Sequence, residues 1–399
     1  MKQCKIIGIS DSRKQWFIPK VAEIICNGTV FSGGKRHYEI MSSFLPEGAL
    51  WIDITVPLSD VFEQYKKHDD IVIFASGDPL FYGFANTVKR ECPDAIMEVY
   101  PSFNSLQMLA HKLNIAYQDM RMVSLTGRSW DKFDEALISG ETLIGCLTDR
   151  NKTPENIIDR MLEYGYNNYE VYVGENLGNE ESETISHVSA GTRCKTSHSM
   201  PNCMILRRVY QRCRNFGIPE SEFSLLDGRV KMITKMPVRL LSLSMLGLHN
   251  RKSFWDIGFC TGSVSIEAKL QFPHLQVTAF EVRAKGEMLI EQNSRKFGTP
   301  GITSVIGDFL MEDLSLYSRP DAVFIGGHGG KLKEIISRIK GVMTDDAVIV
   351  FNSVTDESRK LFYEGIEEHG MEVISSTRIA VDDNNPIYVM AASLPDRKS

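Results

Sequence analysis

The sequence has no apolar run approaching the roughly 20 residues that a bilayer-spanning helix requires, so nothing in it reads as a membrane segment. A basic excess is missing as well. Against 51 acidic residues stand 45 lysines and arginines, for a net charge of -6. Without a basic face, a nucleic-acid partner is not expected. The eight cysteines (Cys4, Cys26, Cys92, Cys146, Cys194, Cys203, Cys213 and Cys260) include no C-x-x-C pair and show no histidine partner at ligand spacing. No metal site is therefore expected, and the thiols read as small packed hydrophobes of a reducing compartment. There is also no low-complexity tract and no repeat between the halves. The opening MKQCKIIGIS runs into a strand-like pattern without a signal-peptide apolar region or cleavage site. A cytoplasmic protein is the expectation.

What is present is alternation. With 43% apolar and 24% charged residues over 399 positions, the chain has an ordinary globular composition and room for two or three cores. Apolar runs alternate with amphipathic segments, the pattern of α/β layers. In the first half strands are predicted near 5–9, 28–31, 50–54, 71–75, 97–100, 122–125, 142–147 and 170–173, with helices such as 81–91 and 154–164 between them. In the second half 254–257, 276–281, 302–306, 322–325 and 347–351 read as successive parallel strands. An antiparallel edge pair follows at 372–379 and 387–392. The polar stretch 210–221, with Gly217 and Pro219, breaks the rhythm. Domains are expected at 1–209 (lobes about 1–115 and 116–209) and 223–399, with a linker at 210–222.

In the second half, Asp256-Ile257-Gly258-Phe259-Cys260-Thr261-Gly262 reads as a strand end, a tight glycine turn and a helix start. Glycines there let backbone approach a ligand closely, and the free N–H groups of a helix start favour negative charge. Glu281 closes the next strand, 19 residues past Gly262, where a carboxylate can accept hydrogen bonds from a ribose diol. Asp308 closes the third, suited to an adenine edge, so three ligand-facing acids are expected at adjacent strand ends. A dinucleotide fold would show G-x-G-x-x-G, whereas this loop is G-x-C-x-G with an acid on the strand before it. That suits S-adenosylmethionine, which carries a sulfonium and no phosphate; a nicotinamide cofactor and a plain tight turn remain open. Lys235 and Arg239 precede the motif on a predicted helix, as cations near the crevice mouth. In Gly326-Gly327-His328-Gly329-Gly330-Lys331 a flat ligand could lie against backbone, with His328 and Lys331 as candidate substrate contacts.

In the first half, the clusters Lys35-Arg36-His37 and Arg207-Arg208 fit either an anionic small molecule or solvated surface. The strand 71–75 runs into Ser76-Gly77-Asp78-Pro79, a turn whose Asp can bond its own backbone, with Pro at a helix start. The run ASGDPLFYG at 75–83 is joined by Ser32-Gly33-Gly34-Lys35-Arg36-His37, Tyr100-Pro101-Ser102-Phe103-Asn104-Ser105, Ser124-Leu125-Thr126-Gly127-Arg128 and Leu147-Thr148-Asp149. Together these resemble the tetrapyrrole methylase family, in the branch acting on precorrin-6Y and its cobalt analogues. The second half, from Gly217-Ile218-Pro219-Glu220 through Asp256-Ile257-Gly258 to Phe324-Ile325-Gly326-Gly327, resembles that branch's companion methyltransferase and decarboxylase. The order of the halves is that of the fused, decarboxylating members.

The resemblance implies an α/β protein in which a tetrapyrrole methylase fold of two α/β lobes precedes a Rossmann-like class I methyltransferase domain. It implies two S-adenosylmethionine sites. Gly77, Asp78, Pro79, Ser105, Gly127, Arg128 and Thr148 would line the first; Asp256, Gly258, Gly262, Glu281 and Asp308 would hold the second. The first half would methylate carbon 5 of precorrin-6Y or 6B, or of the cobalt analogue, in cobalamin biosynthesis. The second would methylate carbon 15 and remove the ring C acetate carboxyl. A homo-oligomer with a corrinoid small molecule as its partner is expected. Two departures stand out: the family's opening G-x-G-P-G is Gly8-Ile9-Ser10-Asp11-Ser12 here, and Cys260 takes a glycine position that a side chain tolerates only outside the left-handed region. A nicotinamide-dependent reductase of the same pathway, or a donor-binding protein with an inactive first half, are the competing readings. Methyl transfer from a sulfonium to an enamine-like carbon needs mainly alignment and desolvation. No dedicated acid–base machine is therefore expected, and Lys235, Arg239 and Lys331 are candidates for carboxylate contacts.

Overall fold

Apolar alternation in the first half condenses into two five-stranded sheets. The first is built from β1 (Gln3–Ile9), β2 (Val30–Gly33), β3 (Leu50–Asp53), β4 (Asp70–Ser76) and β5 (Ile96–Tyr100). All its pairings are parallel, in the order β3-β2-β4-β1-β5. Alternate residues feed opposite cores: Ile6, Ile71 and Ile73 pack with Val61, Phe62 and Tyr65, while Ile7, Val72 and Phe74 pack with Phe31 and Ile40. Burial on both faces is why Ile71–Ala75 is an unbroken apolar run. The second sheet contains β6 (Arg121–Ser124), β7 (Leu143–Leu147), β8 (Tyr169–Glu175), β9 (Thr184–Val188) and β10 (Asn202–Arg208), ordered β6-β7-β10-β8-β9. Only β6 and β7 run parallel in it.

The second half forms one seven-stranded sheet from β11 (Ser253–Ile257), β12 (Gln276–Glu281), β13 (Ile302–Ile306), β14 (Ala322–Ile325), β15 (Val348–Ser353), β16 (Glu372–Ile379) and β17 (Ile387–Ser393). The order is β13-β12-β11-β14-β15-β17-β16, parallel as far as β15 and antiparallel at the last two pairings. The expected antiparallel edge pair is present.

In this computed structural model, which describes residues 1–229, 232–381 and 386–395, the chain divides into two compact units. One holds Met1–Arg128, Thr142–Asp159 and Tyr169–Val209; the other holds Ser129–Glu141, Arg160–Asn168 and Tyr210–Ser399. No helix among the described residues is long and apolar enough to cross a membrane.

Each unit has a point where successive connections leave a central strand in opposite directions, between β1 and β4 in the first and between β11 and β14 in the second. Ligand crevices of open α/β sheets form outside the carboxyl ends of such strands.

Two sequence expectations are corrected. The helix expected at 81–91 begins at Ala85, and Pro79 is not at its start. Residues 78–84 instead fold as consecutive turns: Leu80 N–H donates to Asp78 Oδ1 (2.9 Å), Ala85 N–H to the Pro79 carbonyl (3.2 Å), and Tyr82 has φ 53°. Arg239 does not reach a crevice mouth. It is completely buried; its Nε pairs with Glu267 Oε2 at 3.4 Å, and its guanidinium donates to the carbonyls of Thr234 and Ile218. Burial holds its pKa below the usual guanidinium value. Glu267, equally buried, accepts the N–H groups of Gly217 (2.9 Å) and Ile218 (3.0 Å), tying segment 217–218 to the helix Ser263–Gln271. Glu267→Ala leaves a buried guanidinium without its counter-charge. Urea unfolding is expected to show a loss of about 3–5 kcal/mol, and a loss under about 1 kcal/mol would contradict this role.

Candidate active site

In the first unit a cavity of about 690 Å³ opens at the carboxyl ends of β1 and β4. Gly8 and Gly77 make it possible. A Cβ on Gly8 would stand 1.9 Å from the Gly77 carbonyl oxygen, and one on Gly77, which has φ 61°, would stand 2.8 Å from Asn104 Cα. Asn104 caps the helix Ser105–Leu113 reciprocally with Gln107: Gln107 N–H donates to Asn104 Oδ1 (2.9 Å), and Asn104 N–H to Gln107 Oε1 (3.0 Å). This brings Ser105 to the cavity wall. Thr148 lines it too, its hydroxyl turned to Asn202, while Thr126 Oγ1 donates to the Thr148 carbonyl (2.9 Å).

Of the residues expected here, Gly77, Ser105 and Thr148 border the cavity; Asp78, Pro79, Gly127 and Arg128 do not. Asp78 holds its own turn. Gly127 N–H is anchored by Asp149 Oδ2 (3.0 Å), and Arg128 stacks on Tyr82, 5.1 Å from the ring centre.

The structure adds Asp11, Lys35, Arg36 and His37 to the cavity wall. Arg36 Nε lies 3.2 Å from Asp11 Oδ1. Gly34 N–H donates to His37 Nδ1 (3.2 Å), so the imidazole proton sits on Nε2, facing Ser76 Oγ at 2.9 Å. Burial, helped by the Arg36 charge, lowers the His37 pKa to about 4, and the ring is neutral at physiological pH. Sequence reading had noted Lys35–His37 as a basic cluster without distinguishing it from solvated surface. The other cluster belongs to the surface, with Arg207 on Glu170 at 2.7 Å.

In the second unit Gly258 turns the chain out of β11 with φ 77°, and a Cβ there would lie 2.6 Å from Gly327 N. The turns after β11 and β14 therefore meet backbone to backbone. Cys260 is left-handed, with φ 53°, contrary to the condition set for a side chain at that position. Its N–H donates to Glu281 Oε2 (2.9 Å), and its side chain packs with Leu226 and Leu289. Glu281 is 3% exposed; its other oxygen accepts from Arg283 N–H (3.0 Å) and the Arg283 guanidinium (3.1 Å). Asp308 is half-buried and bonded to Leu310 N–H (3.0 Å) and Lys331 Nζ (3.1 Å), which lower its pKa. His328 accepts Gly330 N–H at Nδ1 (3.2 Å) and packs edge-on to Phe351. Burial lowers its pKa. Lys235 is half-buried just before the helix Met236–Leu246.

Asp256 is not ligand-facing as expected. It is 1% exposed, with Oδ2 accepting the N–H (3.1 Å) and Oγ–H (2.6 Å) of Ser265, so it braces the helix start beneath the loop. Oδ1 is buried without a partner among the described residues. Gly258 keeps the turn after β11 free of a side chain, and Glu281 and Asp308 stand at and just past the ends of the neighbouring strands β12 and β13. That donor set fits a nucleoside bearing a cationic centre.

Glu155, Cys194 and His198 converge, with their ligand atoms within 4.8 Å of one another. Glu155 Oε1 lies 2.7 Å from His198 Nδ1, a contact that satisfies both groups as a hydrogen-bonded pair.

Burial raises the Asp256 carboxyl to about 7, against the pull of the Ser265 bonds and with a further push from the Glu281 charge. Its folded pKa thus lies above its unfolded value. Between about pH 4 and 7 the native state holds a proton that the unfolded chain releases, so this group's contribution to stability falls as pH rises through that window, by about 4 kcal/mol in total. Asp256→Asn, measured by urea unfolding across the window, is expected to flatten the decline. Parallel curves for the two proteins would show that the carboxyl does not titrate there.

Residues 3–192 match the family model for tetrapyrrole (corrin/porphyrin) methylases, and residues 227–397 match that for the precorrin methyltransferase domain. The chain is 27% identical over 391 residues to a precorrin-6Y C(5,15)-methyltransferase (decarboxylating) of Sinorhizobium sp., covering 98% of this chain and 93% of that protein. A cobalt-precorrin-6B C(15)-methyltransferase (decarboxylating) of Salmonella typhimurium is 33% identical over 178 residues, 42% of this chain and 91% of that protein. The cobalt-precorrin-7 C(5)-methyltransferase of the same organism is 27% identical over 176 residues, 44% of this chain and 85% of that protein. On these matches the chain belongs to the decarboxylating precorrin methyltransferases, an S-adenosylmethionine-dependent enzyme family, with a tetrapyrrole methylase half placed first.

Proposed function

We propose that this chain methylates precorrin-6Y or precorrin-6B, or the cobalt analogue, at carbons 5 and 15 and removes the ring C acetate carboxyl. The order of two family matches along one chain, shared with a C(5,15) relative over almost its whole length, carries this reading. Residues 1–209 act at carbon 5, residues 223–399 act at carbon 15, and 210–222 join them. Each half has its own donor site. The reading carries a cytoplasmic location and a homo-oligomeric assembly with it, and the net charge of -6 supports a small-molecule partner rather than a nucleic acid.

The bound donor supplies an electrophilic methyl group on a sulfonium. In the second half, Glu281 would hold the ribose diol; its Oε1 is paired with the half-exposed Arg283 guanidinium. Gly258 lets the turns after β11 and β14 meet through backbone, and Asp308 would meet the adenine edge. Lys331 and Lys235 hold carboxylates of the macrocycle, with His328 Nε2–H as a neutral donor in the glycine loop. Carboxyl loss breaks one carbon–carbon bond: its electron pair enters the conjugated ring, carbon dioxide leaves, and a proton taken up at the side-chain carbon leaves a methyl group. In the first half, Gly77, Ser105 and Thr148 line the donor cavity.

Calorimetry with S-adenosylhomocysteine on the full chain is expected to count two molecules bound, and one for Glu281→Gln. In the corrinoid product, mass spectrometry should show carbon-15 methylation reduced about a hundredfold or more in that variant, with carbon-5 methylation kept. Binding of a single molecule by the wild-type chain, or unchanged carbon-15 methylation in the variant, would overturn the two-site assignment.

A further inference from the structure

We propose that Arg36 is the group in the first cleft that reads a side-chain carboxylate of the macrocycle, and that Asp11 is a built-in carboxylate holding its place. The inference rests on the reading of this cleft as the carbon-5 methylation site.

Arg36 stands in the first turn of the helix Lys35–Met41, directly after β2, and both it and Asp11 line the cavity. The contact between them uses Nε at 3.2 Å, and one Nη2 N–H reaches Ser76 Oγ at a long 3.5 Å. A guanidinium has five N–H donors arranged to grip a carboxylate through two parallel bonds. Among the described residues the remaining donors of Arg36 have no partner, so the fork is only partly used. Its side chain is 38% exposed, whereas that of Asp11 is 10% exposed. The cation is thus the member of the pair that faces the open cleft.

The neighbouring groups keep the charge logic simple. His37 is neutral, with Nδ1 bonded to Gly34 N–H and Nε2 to Ser76 Oγ. It steadies Ser76 and adds no charge of its own. Lys35 is exposed at the rim. The cavity wall is otherwise rich in apolar side chains such as Phe81, Tyr82 and Phe103, which suit the face of a flat ring, and Arg36 supplies a buttressed cation for its edge. A free carboxylate arriving bidentately would make better use of the fork than Asp11 does. While the cleft is empty, Asp11 offsets a positive charge that would otherwise stand beside an apolar wall.

The test uses the full chain, the methyl-accepting corrin and three variants: Arg36→Gln, Arg36→Lys and Asp11→Asn. Carbon-5 methylation is followed by mass spectrometry, and S-adenosylhomocysteine binding by calorimetry. Arg36→Gln is expected to raise KM for the macrocycle on the order of 10- to 100-fold, with S-adenosylhomocysteine affinity and carbon-15 methylation intact. Arg36→Lys keeps the charge without the fork and should fall between wild type and Arg36→Gln. Asp11→Asn removes the competitor and should lower KM several-fold. If Asp11→Asn raises KM as Arg36→Gln does, the pair is a brace for the loop and the proposal fails. It fails equally if Arg36→Gln changes KM less than about twofold. A wild-type cleft that binds no S-adenosylhomocysteine would instead refute the methylation reading on which the proposal rests.

Discussion

The one constraint on which the rest depends is that two neighbouring strand ends must touch through bare backbone. In the first unit the carboxyl ends of β1 and β4 approach so closely that a side chain on Gly8 would overlap the Gly77 carbonyl. In the second, Gly258 and Gly327 do the same for β11 and β14. Both contacts fall where the chain connections diverge to either side of the sheet. Divergence opens the crevice, and contact fixes how wide it is. A methyl group at either position would push the strands apart by more than a packed α/β sheet can absorb, because both faces of these strands are already filled.

Given that contact, the acids of the second crevice have structural work before any ligand arrives. Asp256 ties the end of β11 to the start of the next helix through Ser265, and Glu281 ties the end of β12 to the loop through Cys260 N–H. Among the described residues neither has a cation fully committed to it, since Asp256 has none and Glu281 has only the half-exposed Arg283. Two buried carboxyls and a left-handed cysteine all oppose stability. They meet at the turn after β11, where local stability is given up for geometry.

This division explains what was legible in the sequence. Strands β12, β13, β14 and β16 begin and end at the residues expected; β12 and β14 are runs of buried side chains, and glycine, acidic or turn residues close them. β9 and β10 went unread. β9 is mostly exposed, with a mixed Thr-Ile-Ser-His-Val pattern, and β10 abuts the polar stretch that was taken for a boundary. The helix after β4 starts late because Gly83 is pressed against the Pro79 backbone and Tyr82 is left-handed, features that periodicity does not report. At the sites, glycines were readable as clearances, but the direction of an acid was not. Asp256 looks ligand-facing from its place in the strand, and it is the N–H and hydroxyl of Ser265, nine residues on, that hold it inward. Arg239 looked like a mouth cation because its partner Glu267 lies 28 residues away.

The altered opening loop shows how one device can replace another. A glycine-proline-glycine turn obtains its shape from backbone freedom and a locked φ. Here Ser10-Asp11-Ser12 is shaped by side chains. Ser12 N–H reaches Ser10 Oγ at 3.4 Å, Gln15 Nε2 donates to the carbonyls of Ser10 (3.0 Å) and Ser12 (2.6 Å), and Ser12 Oγ–H donates to Glu180 at 2.5 Å. A loop tied at several points can carry a charged side chain in a fixed direction, which a glycine turn cannot. The departure from the family pattern is therefore what delivers Asp11 to Arg36. It is a change in how the loop after β1 is held.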